Sequence, residues 1–98
     1  MSYEIVFTDT SKCHFRALDA RWRSAIKEGI EVHLRHEPTK ISKSRIKRLR
    51  NMRHPQFRLR IEDYRVFYDL DGQRVVVIAI VPKHEAEPWL NEFGVKFP

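Results

Sequence analysis

The segment from residue 57 to residue 81 constrains the fold of this chain more than any other. Aromatic and β-branched residues dominate three short runs, at 57–61, 64–70 and 74–81, and such residues favour strands. The runs are separated by Glu62-Asp63 and by Asp71-Gly72, and Asp-Gly between apolar runs is a strong hairpin signal. The segment therefore predicts three antiparallel strands in a meander, one face of which needs an apolar cover.

The first half of the chain is predicted to supply that cover. Residues 3–7 alternate in the manner of a short strand, and the polar cluster that follows can cap a helix. From residue 12 to about residue 35, side chains suited to a buried stripe recur at intervals of three and four, at Phe15, Leu18, Trp22, Ala25, Ile26, Gly29 and His33. This spacing predicts one long amphipathic helix, with a break near Gly29 as the alternative.

A second helix is predicted after Pro38, which ends the first helical pattern. Ser42 or Ser44 is placed to cap it, and Ile46 and Leu49 would then turn inward. Two antiparallel helices are therefore expected to pack on the sheet.

A short terminal helix, or a turn as the alternative, is predicted over residues 84–93 after the last strand and is closed by Gly94. The expected fold class is α+β: an N-terminal strand, a helical hairpin, the three-stranded antiparallel meander and a short C-terminal helix. A chain of 98 residues is long enough for one hydrophobic core, so residues 1–98 are expected to form a single domain.

Positive charge is concentrated in one part of the chain. Nineteen Lys and Arg against thirteen Asp and Glu give a net charge of +6, which favours a polyanionic partner or an acidic protein. No acidic residue occurs between Pro38 and Ile61. That interval contains nine cations, at Lys40, Lys43, Arg45, Lys47, Arg48, Arg50, Arg53, Arg58 and Arg60. The first seven of them are candidate RNA-binding residues.

Several classes of site are not expected. The single cysteine, Cys13, excludes an internal disulfide and a Cys-rich metal site. The histidines show no HExxH or paired spacing typical of metal ligands, so neither a metal nor a cofactor is predicted. No apolar run approaches the roughly 18 residues that a membrane span needs. We expect a cytoplasmic protein with no membrane partner.

The register of the first predicted hairpin sorts its side chains onto two faces. A two-residue turn places Arg60 opposite Arg65 and Arg58 opposite Phe67, so the three arginines share a face. The opposite face, towards the helices, receives Phe57, Leu59, Ile61, Tyr64, Val66 and Tyr68. When the register is extended through the Asp-Gly turn, the third strand is predicted to place apolar side chains beside the arginines, at Val76, Ile78 and Ile80.

Arginines placed directly opposite each other repel, so a sheet face that carries three arginines needs a source of compensating negative charge or solvent. One interpretation is a solvated face that Glu62, Asp63 or Asp69 partly neutralises. The other is a bound anion, because guanidinium groups bind phosphate in a bidentate manner and can stabilise the charge that develops during strand cleavage.

These motifs also carry a family resemblance. The run Phe57-Arg-Leu-Arg-Ile-Glu-Asp-Tyr-Arg-Val-Phe-Tyr68, followed by Val75-Val-Val-Ile-Ala-Ile-Val-Pro-Lys-His84, resembles the meander of RelE/ParE toxins of type II toxin–antitoxin systems. The preceding Arg48-Leu-Arg-Asn-Met52 is similar to that family's link into the sheet. The resemblance covers nearly the whole chain.

The resemblance to RelE-type members implies a metal-independent endoribonuclease. Such toxins enter the ribosomal A site and cut mRNA, using a ribose 2′-hydroxyl to attack the next phosphate. The resemblance also implies that Arg58, Arg60 and Arg65 hold the phosphate. His84 would act as the acid or the base of the reaction, with Glu62 as a further candidate. Lys83 and Trp89 would contact RNA. The implied partners are a cognate acidic antitoxin, the ribosome and mRNA.

Two departures from the RelE pattern leave other functions open. RelE has lysines where this chain has Arg58 and Arg60, and arginine does not readily release a proton. Several relatives use a tyrosine near the C-terminus, and Trp89 is its nearest counterpart in this sequence. An indole ring cannot donate a hydroxyl proton as that tyrosine can. The alternatives are a ParE-like toxin that binds DNA gyrase without nuclease activity, and a catalytically silent member that binds only RNA or its antitoxin.

Overall fold

A computed structural model describes residues 2–98, which form a sheet packed against two helices on one face and a third helix on the other. Helices and strands occur in the order β1 Glu4–Phe7, α1 Asp9–Ala17, α2 Ala20–Leu34, β2 Ile46–Arg48, β3 Met52–His54, β4 Phe57–Ile61, β5 Tyr64–Asp71, β6 Arg74–Pro82, α3 Lys83–Phe93 and β7 Val95–Lys96. The α+β class and the meander β4-β5-β6 are confirmed.

The main sheet has five strands in the order β1-β6-β5-β4-β2. The meander is antiparallel, β1 joins β6 in parallel, and β2 joins β4 antiparallel. The predicted register of β4 and β5 is confirmed, with Arg60 opposite Arg65 and Arg58 opposite Phe67. The face towards α1 and α2 holds the main core, which includes Leu59, Val66 and Tyr68 from these two strands.

The single long helix predicted from residue 12 to 35 is wrong, because the chain forms two helices with a sharp break before Ala20. Leu18 has extended backbone angles and is buried, and the side chain of Asp19 accepts a hydrogen bond from Trp22 N–H at 2.9 Å. Asp19 therefore caps a new helix. Gly29 lies within α2 without breaking it; a Cβ there would come within 2.4 Å of Ile61 Cδ1, so glycine permits close packing on β4.

The predicted second helix after Pro38 is also wrong, because Ile46–Arg48 forms an edge strand on β4. Ser42 does accept hydrogen bonds from the N–H groups of Arg45 and Ile46, at 3.0 and 3.3 Å, but it closes a turn rather than starting a helix. Ile46 is buried as expected. Pairing with β4 satisfies the edge of that strand, which outweighs the local helical pattern. The helical hairpin of this chain is therefore α1 with α2.

The second hairpin turns one residue later than predicted, at Gly72 and Gln73, because Asp71 pairs with Arg74. Gly72 has a φ of +60°, which glycine adopts without strain. The register also shifts between Phe67 and Tyr68, which pair with Ala79 and Val77, so that Ile78 is skipped in the pairing with β5. As a result the apolar neighbours of the arginine face differ from those predicted. Ile80 lies in the main core, and Phe67 instead packs with Ala79 and Val81.

Side chains of α1 complete the outer edge of β6, which β1 covers only as far as Val77. The Ser11 hydroxyl donates to the Val77 carbonyl at 2.8 Å, and the Thr8 hydroxyl donates to the next carbonyl at 3.2 Å. The Ile80 N–H donates to Nδ1 of His14 at 3.0 Å. These bonds matter because unsatisfied backbone groups at a buried edge are costly.

We expect the stability of the protein to fall in mild acid because of His14. Burial lowers the pKa of His14 below its ordinary value of 6.5, and the charge of Glu85 opposes this in part. A protonated ring cannot accept the Ile80 N–H bond. The unfolded state then binds more protons, so this contribution is present above pH 6.5 and is lost as the pH falls through the lowered pKa.

Urea denaturation at several pH values between neutral and mildly acidic tests this expectation. His14→Ala should cost about 1–2 kcal/mol at neutral pH and should show a shallower loss of stability on acidification than the wild type. Burial lowers the pKa of His33 in the same direction, so some pH dependence should persist. An unchanged slope in His14→Ala would contradict the assignment.

The terminal helix was predicted over residues 84–93 and is confirmed as α3, with Gly94 as its C-cap. A two-stranded sheet of β3 and β7 follows it and was not predicted. Within residues 2–98, no helix is long and apolar enough to cross a membrane.

Candidate functional site

The predicted arginines do lie together on one face of the sheet, which we call the arginine face: Arg58 and Arg60 on β4, Arg65 on β5, and Lys47 on β2. Arg60 is opposite Arg65, and Lys47 is opposite Arg58. Within residues 2–98, none of the four forms an ion pair within 4.0 Å. Adjacent strands lie about 4.8 Å apart, so this is a dense group of like charges.

Arg65 is largely buried, with 6% of its surface exposed. Its Nη1 donates to the carbonyls of Glu62 and Tyr64, at 2.9 Å in both cases, and so ties down the hairpin turn. Burial and the charge of Arg60 lower the pKa of Arg65, and Asp63 opposes this. The predicted phosphate ligand therefore also has a structural role.

Arg58 is half-buried, and its Nε is fully enclosed with no hydrogen-bond acceptor among residues 2–98. Burial lowers the pKa of Arg58 most strongly, followed by repulsion from Arg65 and Arg60. A buried charged donor without a partner is unfavourable. Arg60, by contrast, is exposed. The group as a whole is therefore suited to an anion that brings acceptors and negative charge. Of the acidic residues expected to neutralise it, Asp69 is bound elsewhere, to His54 and Gln56.

Helix α3 lies across part of the arginine face. Trp89 stacks on Phe67, with ring centroids 5.5 Å apart and an interplanar angle of 16°. Ala86 and Leu90 join this small apolar cluster from the same helix, and Leu49 joins it from beyond β2. Trp89 was predicted to contact RNA, but its half-buried ring already has an aromatic partner in the protein. Its packing places the helix beside Arg58, which pairs with Phe67.

The start of α3 brings His84 to the same edge of the sheet as Arg65. The N–H of Lys83 donates to the Asp63 carbonyl at 2.7 Å, which fixes the helix start beside the turn between β4 and β5. The His84 side chain is 82% exposed, and its Nε2 lies 3.5 Å from Glu85 Oε2. His84 is therefore accessible for proton transfer, and among residues 2–98 its one ion-pair contact is with Glu85. Lys83 is exposed at the same corner.

The other predicted RNA-binding cations divide into two groups. Arg48 is used within the fold: its Nη1 donates to the carbonyls of Leu49, Met52 and Gln56, and its guanidinium lies over the Phe57 ring. Apart from Lys47, which belongs to the arginine face itself, the rest are exposed on or near the β2 edge and the loops beside it, at Lys40, Lys43, Arg45, Arg50 and Arg53. This second group forms a basic border next to the arginine face.

One histidine contact was not predicted. Nδ1 of His54 lies 2.8 Å from Asp69 Oδ2, and the other Asp69 oxygen accepts the N–H of Gln56 at 2.7 Å. Asp69 and Arg65 are on the same face of β5, four positions apart, with Phe67 between them. No sequence signal joins residues 15 positions apart here; only the hairpin brings them together. Within residues 2–98, no group of His, Cys, Asp and Glu is arranged to hold a metal ion.

A groove of about 670 Å³ separates β1 from the two N-terminal helices on the opposite side of the molecule. Its floor includes Ile5, Phe7 and Phe15, and cations at its rim include Lys12 and Lys27. Strand β1 is an edge strand, so the outer side of its backbone is not paired within the main sheet. The carboxylates of Glu4 and Glu31 also line the groove, so its charge is mixed.

Comparison with known proteins shows which protein family and which solved structures this chain resembles. The family model described as the ParE toxin of the type II toxin–antitoxin system, parDE, matches residues 5–87. No curated protein matches the sequence. The toxin–antitoxin complex RelBE2 from Mycobacterium tuberculosis is similar in structure, with a TM-score of 0.70 and 26% identity over 84% of this chain and 99% of that chain.

Two archaeal structures share the fold at lower identity. The RelE–RelB complex from Pyrococcus horikoshii has a TM-score of 0.68 and 20% identity, over 85% of this chain and 97% of that chain. The RelB–RelE complex from Methanococcus jannaschii has a TM-score of 0.64 and 18% identity, over 86% of this chain and 96% of that chain.

Proposed function

Because the chain belongs to the family of ParE toxins of type II toxin–antitoxin systems, we propose that it is a toxin that stops translation by cutting mRNA on the ribosome. The observation that carries this proposal is the uncompensated arginine face, where Arg58 has an enclosed Nε without an acceptor. A phosphodiester would bring both the acceptors and the negative charge that this face lacks. The basic border beside it would follow the phosphates of ribosomal RNA.

The proposed reaction is transfer of the phosphodiester to the neighbouring 2′-oxygen. A bond forms between the 2′-oxygen and phosphorus while the bond from phosphorus to the 5′-oxygen breaks. The 2′-hydroxyl loses a proton to a base, and the leaving 5′-oxygen gains one. Arg58, Arg60 and Arg65 hold the phosphate and stabilise the added charge of the crowded intermediate. His84 transfers one of the two protons, with Glu62 at the adjacent turn as a candidate for the other.

The proposed partner in the resting cell is a cognate antitoxin, acidic in its binding segment and disordered when free. Such a segment would neutralise the toxin by covering Arg58, Arg60 and Arg65 in the cytoplasm. The solved relatives are themselves described as toxin–antitoxin complexes, which supports a partner of this class.

Poisoning of DNA gyrase is the second candidate function. Two observations favour it. The matching family model is that of ParE toxins, and the one ion-pair contact of His84 within residues 2–98 is 3.5 Å long, to its exposed neighbour Glu85. A toxin that acts through protein contacts needs no positioned proton donor. In that case the helical hairpin, rather than the arginine face, would carry the activity.

Cleavage of mRNA on purified, programmed ribosomes tests the proposal, with ribosome-free RNA as the control and gyrase supercoiling measured in parallel. We expect ribosome-dependent cuts, and a rate about 100-fold lower for His84→Ala because a proton-transfer group is lost. His54→Ala should cut normally, since the ring of that histidine contacts Asp69 and it is not one of the residues proposed to hold the phosphate or move a proton. If the wild-type chain cuts nothing but inhibits supercoiling, the second candidate is correct and the nuclease proposal is not.

A further inference from the structure

The last residues of the chain carry an exposed apolar surface, formed by Phe93, Val95 and Phe97, which we call the terminal aromatic surface. We propose that its rings stack on bases of the mRNA strand that is cut, and that Arg50 and Arg53 contact the phosphates of that strand. The inference deepens the proposed function and rests on it. It assigns these two members of the basic border to mRNA rather than to ribosomal RNA.

The exposure of these side chains is the first reason. Among residues 2–98, five large apolar side chains are exposed, and three of them lie together at positions 93, 95 and 97. The two rings are about half exposed, Phe93 at 58% and Phe97 at 48%. Single exposed apolar residues are common, whereas clusters of them are typical of binding surfaces. The cluster therefore indicates a binding surface, and its rings favour a flat partner group.

The backbone beneath the rings is held in place, so the surface is preformed. Strand β7 pairs with β3, and the Phe97 N–H donates to the Asn51 carbonyl at 2.9 Å. Val95 and Phe97 are alternate residues of this extended segment, so their side chains lie on one side of it. Phe93 is anchored from the helix, because its ring centroid lies 5.4 Å from that of Trp89. A preformed surface loses little conformational entropy on binding.

A bulge in β3 brings an arginine onto one of the rings, which is the second reason. The pairing of β3 with β7 shifts between Met52 and His54, so Arg53 has no counterpart on β7. Bulges of this kind re-aim a side chain. The guanidinium of Arg53 lies 5.4 Å from the centre of the Phe97 ring. A base that stacks on Phe97 would therefore bring its phosphate close to a cation.

The charge of this region is positive. Residues 48–56 contain three arginines and no Asp or Glu. Arg50 and Arg53 are both exposed. Glu92 and Asp69 lie on neighbouring elements, but in the part of the chain that the structure describes neither pairs with these arginines within 4.0 Å. Aromatic rings beside a cationic stretch are typical of proteins that bind single-stranded nucleic acid. Charge and rings together therefore favour a nucleic acid strand over an apolar protein surface.

A row of rings joins the terminal aromatic surface to the arginine face and is the third reason. Phe67 stands directly across from Arg58. Trp89 stacks on Phe67 with ring centroids 5.5 Å apart, and the Phe93 ring follows at 5.4 Å from Trp89. An RNA strand with one phosphate on the arginine face can therefore place a nearby base on Phe93. This continuity favours the strand that is cut over a separate RNA molecule.

Binding of fluorescein-labelled single-stranded oligouridine to the full chain, measured by fluorescence anisotropy, tests the proposal. Replacing both Phe93 and Phe97 by leucine keeps an apolar surface but removes stacking, and should weaken binding about tenfold. Replacing both by tyrosine keeps the rings and should preserve the wild-type affinity. Ile41→Ala is the matched control, because Ile41 is 56% exposed within the basic stretch but outside this surface, and it should bind normally. Wild-type affinity in the double leucine variant, or no binding by the wild-type chain, would overturn the proposal.

The dependence of binding on salt separates stacking from charge. The double leucine variant should keep the wild-type slope of log affinity against log salt concentration, because stacking releases no counterions. Arg53→Ala should reduce that slope by about one, because one phosphate contact is lost. A slope for Arg53→Ala equal to that of the wild type would mean that Arg53 does not contact phosphate and would overturn this part of the assignment.

Two further measurements separate the terminal aromatic surface from its alternatives. If the wild-type chain is a dimer in analytical ultracentrifugation and Phe97→Ala is a monomer, the occupant is a second copy and the proposal is wrong. Cleavage on programmed ribosomes is measured for the same variants. If the wild type cuts mRNA and the double leucine variant binds RNA equally well, the nuclease proposal stands and this one does not. Weaker binding by that variant, with no cleavage by the wild type, would support the surface and contradict the nuclease proposal.

Discussion

Arg60→Ala is expected to slow mRNA cleavage on programmed ribosomes several hundredfold, because removing one preorganised donor to a developing oxyanion costs about 10²–10³ in rate. Arg60 is the exposed member of the arginine face and is free to meet the phosphate, whereas Arg65 is tied to backbone carbonyls. Removing Arg60 also relieves repulsion on Arg58 and Arg65, so the fold should not be weakened. Single-turnover cleavage rates at saturating ribosome concentration provide the measurement.

Two variants control for the loss of charge. Arg74→Ala removes the same charge at the far end of β6, where Arg74 lies 4.0 Å from Glu4, and should leave cleavage unchanged. Arg60→Lys keeps the charge but loses the bidentate fork, so an intermediate rate is expected. A rate for Arg60→Ala equal to that of Arg74→Ala would mean that the arginine face does not bind the reacting phosphate.

Leu59→Ala is expected to lower the free energy of unfolding by about 3 kcal/mol, within the range measured for large-to-small changes in protein cores. Leu59 is 0% exposed in the centre of the sheet, between Val66 on β5 and Ile46 on β2. Small domains have only about 5–15 kcal/mol of stability, so this one change should move the urea midpoint substantially. Equilibrium denaturation followed by circular dichroism measures it.

Val32→Ala is the matched control for that measurement, since Val32 is 64% exposed on α2. It should change the stability by less than about 0.5 kcal/mol. A comparably small effect of Leu59→Ala would indicate that the helices do not bury the predicted face of the sheet.

The faces of the first hairpin could be predicted from the sequence because side chains alternate strictly along a strand. Once the turn between Ile61 and Tyr64 is placed, the arginines must share one face and Leu59 the other. At the second hairpin Asp71 joined the strand instead of the turn, which moves the pairing by two positions and keeps each side chain on its predicted face. The prediction failed at the irregularity between Phe67 and Tyr68, beyond which the faces of β6 are reversed and Ile80 enters the main core.

The candidate site was predictable only in part. Arg58, Arg60 and Arg65 are brought together as expected, because their proximity depends on one local hairpin. The burial of Arg65 and the enclosure of Arg58 Nε were not predictable, since burial depends on how the whole chain packs and not on the pairing of two strands. The stacking of Trp89 on Phe67 was not predictable either, because it depends on packing between residues that are distant in sequence.

The sequence by itself determined the α+β class, the meander, the terminal helix and the clustering of positive charge, because all of these follow from short-range spacing. Only the tertiary structure decided that Ile46–Arg48 is a strand and that the helix breaks at Asp19. It also decided which carbonyls of β6 the side chains of α1 satisfy. The physical reason is that an unpaired strand edge needs hydrogen-bond partners, and those partners come from parts of the chain that local patterns do not connect.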